Sequence, residues 1–213
     1  MLRALLLVPA LSLGLSAAPL RIDFDAAPTE PGWLSLSAAD ADLGDPWSRS
    51  LPGGIGIDVD AAGAISLDVR DRGTVNGSPE SGMWRDFLFA NGSTATDEGL
   101  DIQLTGLLPH TDYPITLWAY DTSSPSVRRC TWNGLPYAFN GVDAPASSLG
   151  DHQLHFTNTT DAAGSLLLAG RTAASPGPAH NVFINGMEIG DPVITFIDSD
   201  GDGLHDPWEI GYF

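Results

Sequence analysis

The sequence has no lysine and only one cysteine, Cys130. Nine basic residues, all arginine, stand against 27 acidic residues, which gives a formal net charge of −18. A surface of this sign repels nucleic acid and anionic lipid, so we expect partners to be neutral molecules or cations. One cysteine excludes an intramolecular disulfide and a cysteine zinc cluster, and we expect Cys130 to be a buried, inert thiol.

Helical periodicity is also missing. No run of 10–15 residues repeats its apolar positions at the helical spacing, which argues against βαβ units. Short segments alternate apolar and polar residues instead, as in Gly54 to Asp60 and Leu100 to Leu104. With 24 Gly and 16 Pro between them, these segments predict about a dozen short strands of an all-β sandwich or barrel. We expect Gly54–Asp60 to form a hairpin with Ala64–Arg70, and the strands flanking Asn185-Gly186 to form another.

The N-terminal residues have the pattern of a secretory signal. Arg3 precedes an apolar run, Ala4 to Leu15, which is too short to span a bilayer. Small residues follow, and cleavage after either Ser16 or Ala18 fits them. We therefore assign residues 1–18 to a signal peptide and expect a secreted or cell-surface protein. No later segment is long and apolar enough to span a membrane.

The segment Asp198–Glu209 has the spacing of a calcium loop. Carboxylates occupy positions 1, 3, 5, 9 and 12, and Gly203 occupies position 6, where the chain must turn sharply. Ca²⁺ prefers six to eight oxygen ligands, and alternate side chains of such a loop can surround it. The predicted ligands are Asp198, Asp200, Asp202, the Leu204 carbonyl, Asp206 and Glu209. The alternative is an acidic, solvated tail.

This loop resembles the single EF-hand-like loops of dockerins and thrombospondin type 3 repeats. It departs from them at position 8, which is His205, and in the segment entering the loop, which has a strand pattern. Only four residues follow Glu209. The loop is therefore either a lone linker site or part of a chain that continues into further domains.

The segment Leu104–Leu117 resembles the strand corner of fibronectin type III and immunoglobulin-like sandwiches, in which a tyrosine, here Tyr113, hydrogen-bonds back across the turn. The same corner occurs in galactose-binding-like jelly rolls, and Asn181–Ile189 is similar to their closing hairpin. The span from Leu20 to Ile189 exceeds a fibronectin domain of about 100 residues. It fits a jelly-roll sandwich of eight or more strands. We assign residues 19–190 to this domain and residues 191–213 to a calcium-loop tail.

Strand alternation suggests a ligand face. If Tyr113 and Leu117 point into the core, Trp118 and Tyr120 point the other way, where aromatic rings can stack on a sugar. On the next strand of the sequence, Trp132 could extend this surface and Arg128 or Arg129 could bind hydroxyl groups. We therefore predict a module that binds neutral carbohydrate through Trp118, Tyr120, Trp132 and Arg128. In the alternative, a large sandwich covers both faces, the aromatic residues are core, and the domain is a structural or adhesive segment of a larger surface protein.

No residue is assigned to catalysis. The spacing of His152 and His155 lacks the helical pattern of zinc proteases, and no nucleophile elbow is present. The aspartates of two strands form a candidate second calcium site, and the alternative is that these carboxylates are solvated strand ends. The residues concerned are Asp23, Asp25, Asp58 and Asp60.

Overall fold

A computed structural model of the 213-residue chain describes residues 19–24, 30–36, 47–64, 66–73, 81–93, 95–121, 123, 127–140, 152–173 and 182–193. The predicted signal peptide (1–18) and calcium loop (198–209) lie outside these ranges, so both stay predictions, as do the domain limits drawn from them. Within the described ranges, no helical segment has the length and apolar character needed to cross a bilayer.

The described residues form fourteen strands and two short 3₁₀ turns, Pro52–Gly54 and Met83–Arg85. The strands are β1 (Leu20–Asp23), β2 (Leu34–Ser35), β3 (Trp47–Ser50), β4 (Gly56–Asp60), β5 (Ser66–Asp71), β6 (Asp86–Asn91), β7 (Gly99–Thr105), β8 (Asp112–Trp118), β9 (Val127–Trp132), β10 (Leu135–Asn140), β11 (Gln153–Thr159), β12 (Leu166–Thr172), β13 (Phe183–Ile184) and β14 (Gly186–Ile189).

The strands are arranged in three sheets. Sheet A has the order β11-β8-β14-β1-β2, sheet B the order β10-β9-β12-β7-β4-β3, and sheet C the order β13-β6-β5. Pairing is antiparallel except between β1 and β2. From β10 onward consecutive strands move from sheet B to A, back to B, then to C and A. Such crossing between layers is typical of jelly rolls. The prediction of an all-β sandwich is confirmed.

The main core lies between the inner faces of these sheets. Because side chains alternate along a strand, Leu100, Ile102 and Leu104 of β7 all point inward and are fully buried. Ile102 and Leu104 pair with aliphatic residues of β4 and β12, so this part of sheet B presents a continuous aliphatic surface. Sheet A contributes Ile22, Ile115, Leu117, Met187 and Ile189 to the same buried cluster.

The predicted tyrosine corner is present. Tyr113 is buried, and its hydroxyl accepts a hydrogen bond from the Leu108 amide at 3.0 Å. Thr160 fastens the same turn, since its hydroxyl donates to the Leu108 carbonyl at 2.6 Å. These bonds satisfy backbone groups where the chain passes from sheet B to sheet A, so they fix the start of β8.

Both predicted hairpins are wrong. Strand β4 pairs with β3 and β7 in sheet B, whereas β5 pairs with β6 in sheet C. At Asn185-Gly186 the chain does not turn back but passes from β13 in sheet C to β14 in sheet A. The local preference of Asn-Gly for a hairpin turn is overridden here, because β13 and β14 pair with strands that are distant in the chain. Asn185 is fully buried and has a role in packing instead.

Candidate functional site

Strand β8 places Trp118 on the outer face of sheet A, as the alternation predicts. Tyr113, Ile115 and Leu117 belong to the main core, whereas Trp118 packs in a separate cluster with Trp33, Met83, Trp84 and Tyr120. Trp118 at the end of β8 and Tyr120 just after it therefore face away from the main core.

The prediction that Trp118 and Tyr120 form an exposed platform is wrong. Each residue is only 2% exposed. The Trp33 ring lies edge-on to Trp118, with centroids 5.4 Å apart, and the Met83–Arg85 turn contributes Trp84, which meets Tyr120 edge-on at 6.0 Å. The sandwich is large enough for connecting segments to cover its second face, which is the alternative that the sequence left open.

Trp118 is covered by the segment that carries Trp33 and by the Met83–Arg85 turn, and Glu30 joins both of them to sheet A. Its amide donates to the Asp23 carboxylate at 2.6 Å, and its own carboxylate accepts the Gly82 amide at 2.9 Å. Gly186, opposite Asp23, provides the space beneath: a Cβ there would lie 2.7 Å from the Trp33 ring and 2.9 Å from the Met83 side chain. The cover over Trp118 is thus built into the fold.

Asn185 supports the same layer from beneath. Its side-chain carbonyl accepts the Tyr120 amide at 2.6 Å, and its amide group donates to the Asp86 carbonyl at 2.6 Å. These bonds tie the end of β8, the start of β6 and the β13–β14 crossing together, which is why a buried polar residue is stable here.

The predictions for Trp132 and Arg128 need correction as well. Strand β9 pairs with β10 and β12 in sheet B, not with β8, so it cannot extend a surface around Trp118. Trp132 is 1% exposed in the main core, where Gly170 leaves room for its ring. Arg128, on the same side of β9 but near its start, is half-buried.

An open polar surface lies beside the covered aromatic cluster. On four neighbouring strands of sheet A, directly paired residues share the outer face, and we call them the polar row: His155, Thr116, Glu188 and Arg21. The Arg21 guanidinium donates to Glu188 at 2.6 Å, and the Thr116 hydroxyl is 2.9 Å from Nδ1 of His155. The row therefore carries charged and neutral hydrogen-bonding groups in line across the sheet.

The polar row borders the aromatic cluster, and all of its residues except Thr116, which is buried, are at least partly accessible to solvent. The side chain of Arg21 is 38% exposed and that of Glu188 is 23% exposed, while His155 is exposed at the β11 edge. Arg21 also lies over the Trp33 ring, 5.7 Å from its centroid. A ligand on this surface would meet hydrogen-bond donors and acceptors along one row, beside a Trp33 ring that is itself buried.

Cys130 is a free, buried thiol, as expected from the sequence. Burial raises the pKa of Cys130 to about 12, although a hydrogen bond with Trp132 acts in the opposite direction. At neutral pH the group is therefore a thiol rather than the nucleophilic thiolate.

The aspartates considered for a second calcium site fall on different elements. Asp23 lies in sheet A under the Glu30 turn, Asp58 and Asp60 lie on β4 in sheet B, and Asp25 is outside the described residues. In the ranges that the structure describes, no cluster of three or more His, Cys, Asp or Glu side chains could hold a metal ion.

Sequence reasoning missed the polar row because its members are far apart in the chain. Arg21 and Glu188 are separated by 167 positions and Thr116 and His155 by 39. Only the pairing register brings them together, and no local motif reveals it. The one available signal was polar alternation in the strands themselves: Gln153, His155 and Thr157 occupy one side of β11.

No protein-family model matches this chain, and no curated protein matches it. Among solved structures, the chain is similar to a chain from the complex of the plant peptide RALF23 with FER and LLG2 (12% identity, TM-score 0.45, covering 88% of this chain and 43% of that one). It is also similar to the ANXUR1 extracellular domain from Arabidopsis thaliana (11% identity, TM-score 0.46, covering 82% of this chain and 48% of that one). A third similarity is to the CBM36-1 domain of a multidomain xylanase from the hindgut metagenome of Trinervitermes trinervoides (14% identity, TM-score 0.30, covering 65% of this chain and 99% of that one). The chain thus spans less than half the length of the first two, and no family assignment follows from these similarities.

Proposed function

We propose that this chain is an extracellular, non-catalytic binding module whose ligand is a neutral saccharide held along the polar row of sheet A. The observation that carries the proposal is the line of directly paired polar side chains across four strands of sheet A, of which His155, Glu188 and Arg21 are at least partly exposed and Thr116 is buried between them. The predicted signal peptide supports an extracellular location.

The chemistry of the row suits sugar hydroxyl groups, which both donate and accept hydrogen bonds. Glu188 offers acceptors, Arg21 offers donors, and the His155 ring offers either, according to its tautomer. Spacing across a sheet is about 4.8 Å per strand, so four strands present groups over roughly 15 Å. An extended chain of two to three sugar rings would match that length. The overall charge of −18 disfavours polyanions as ligands.

A glycan array of neutral oligosaccharides, followed by calorimetric titration of any hit, tests the proposal. We expect His155→Ala and Arg21→Gln each to weaken binding about tenfold, because each removes hydrogen bonds to the ligand. The matched control is Arg171→Gln, since Arg171 forms a comparable half-exposed pair with Asp101 on sheet B. An equal loss in the control would show that the polar row is not the site.

One observation favours a second function. Trp118, Tyr120 and Trp132 are all buried, which is the arrangement expected of a structural or adhesive segment without a small ligand. The array separates the two proposals: no bound glycan with an intact fold would favour the structural segment.

We also propose that Asp198–Glu209 binds Ca²⁺ with the ligands predicted from its spacing. Support comes from the register of its carboxylates and Gly203. We expect a weak affinity of about 10⁻⁴–10⁻³ M, because an unpaired loop is less rigid than a paired one. Calorimetric titration with CaCl₂ of the parent and of Glu209→Gln measures this directly. Equal heats from both proteins would contradict the assignment.

A further inference from the structure

Strand β11 forms an open edge of sheet A. At one end of the strand the Ala119 amide donates to the His152 carbonyl at 3.2 Å, and at the other the Thr160 amide donates to the Thr111 carbonyl at 3.0 Å. Even-numbered residues of β11 therefore bond to β8, and the backbone groups of the odd-numbered residues point away from it, because hydrogen bonds alternate sides along an antiparallel strand. Within the part of the chain that the structure describes, no strand pairs with this outward side. The outward residues are Gln153, His155, Thr157 and Thr159.

The other edges of the three sheets carry features that hinder pairing with another chain. Strands β2 and β13 have two residues each, and β3 has four. Strand β5 carries the charged residues Asp68, Arg70 and Asp71. On β10, Pro136 occupies an outward position, where it offers no N–H. Short length, charge and proline at an edge are the devices by which proteins prevent association between sheets.

Strand β11 has none of these devices. It is seven residues long and contains no proline, glycine or acidic or basic side chain other than His155. Its four outward residues are exposed and polar. In a chain whose net charge is −18, β11 is thus a neutral stretch with unblocked backbone groups. Two copies of the chain can approach along it without placing carboxylates opposite each other.

We propose that β11 pairs with β11 of a second copy of this chain, antiparallel and about a two-fold axis at Phe156. Centring the axis there lets all seven residues of the strand overlap. His155 of each copy then exchanges backbone hydrogen bonds with Thr157 of the other, and the Gln153 amide donates to the Thr159 carbonyl. The two five-stranded sheets become one continuous sheet, joined by a surface that is complementary to itself.

This pairing does not rest on the proposed saccharide function. It uses backbone groups at the strand edge, whereas the side chains of the polar row stand roughly perpendicular to the sheet. Because one strand edge is a small surface and both copies are acidic, we expect a weak dimer that tightens when salt screens the repulsion between them. A cationic peptide of another protein, the other occupant that would suit an acidic chain, should instead bind less tightly as salt rises.

Sedimentation equilibrium of the full chain over a range of protein concentrations tests the dimer. We expect the average mass to rise from that of one chain toward that of two. The dissociation constant should fall several-fold between about 0.1 and 1 M salt, over which the screening length shortens from roughly 10 to 3 Å. Amide hydrogen exchange at low and high protein concentration then locates the contact. The amides of Gln153, His155 and Thr157 should exchange more slowly at high concentration.

A variant of the edge completes the test. Thr157→Pro removes an outward N–H without removing a bond to β8, and it should raise the dissociation constant about tenfold, because each copy loses one donor. The matched control, Thr157→Val, keeps the N–H and the shape of the side chain and should pair like the parent. If Thr157→Pro does not fold, hydrogen exchange of the parent decides. A dimer that neither protects the edge amides nor weakens in Thr157→Pro would contradict the proposal. A chain that stays monomeric at every concentration would overturn it and leave the edge to an extended peptide of another protein.

Discussion

The outer face of sheet A has a covered half and an open half, which lie only two residues apart along each strand. The covered half is formed by Trp118, Gly186 and Asp23, with the exposed Gln153 at its β11 end, and the open half is the polar row, in which Thr116 is buried. In both halves the side chains point away from the main core. The difference is that Gly186 leaves space for Trp33 and Met83, whereas Glu188 fills the corresponding place with a charged side chain. Alternation decides which way a residue points, but the segments that connect the strands decide whether it stays exposed.

The largest expected effect is on the covered half. Trp118→Ala removes a buried indole that touches Trp33, so we expect it to lower the free energy of unfolding by about 3–5 kcal/mol. The control is Gln153→Ala, which changes an exposed side chain directly opposite Trp118 on β11 and should stay within about 0.5 kcal/mol. Denaturant titrations with matching slopes provide both values. A loss near that of the control would mean that the cover over Trp118 opens readily.

Local sequence patterns predicted the side-chain directions in β8 and the hydrogen bond of the tyrosine corner. Alternation in β8 gave the directions of Ile115, Leu117 and Trp118, and the turn before Tyr113 gave the bond that its hydroxyl makes with Leu108. Each of these depends on residues within about one strand length. The all-β sandwich followed from many such segments.

The order of strands in each sheet and the positions of the candidate site residues depend on pairing between segments that are distant in the chain. The sequence suggested that β9 lies beside β8, but β9 pairs in sheet B, which moves Trp132 into the core. Asn185-Gly186 suggested a hairpin, yet Gly186 serves close packing under Trp33. Composition carries no information about such a register, because many pairings would bury similar apolar residues.

A smaller effect should come from filling the space beneath the cover. In Gly186→Ala the new methyl group would lie within 3.0 Å of both Trp33 and Met83, so we expect a loss of about 1–3 kcal/mol from overpacking. Gly190→Ala is the matched control near the end of the same strand, where the nearest atom is 3.3 Å away on Pro114. Thermal unfolding of both variants measures the difference. Equal melting temperatures would show that the cover shifts without cost, and the distinction between the two halves would then weaken.

The smallest effect belongs to the open half. Arg21 and Glu188 form an ion pair at 2.6 Å with both side chains partly solvated, so their coupling energy should be only about 0.2–1 kcal/mol. A double-mutant cycle of Arg21→Gln and Glu188→Gln measures it, and the glutamines retain most of the apolar stem of each side chain. Because salt screens exposed charges, the coupling should fall when the cycle is repeated at about 1 M salt, where the screening length is roughly 3 Å. A coupling well above 1 kcal/mol that ignores salt would mean that the polar row is shielded like the Trp118 row. In that case the row could not exchange its internal hydrogen bonds for those of a sugar, and the structural segment would become the better proposal.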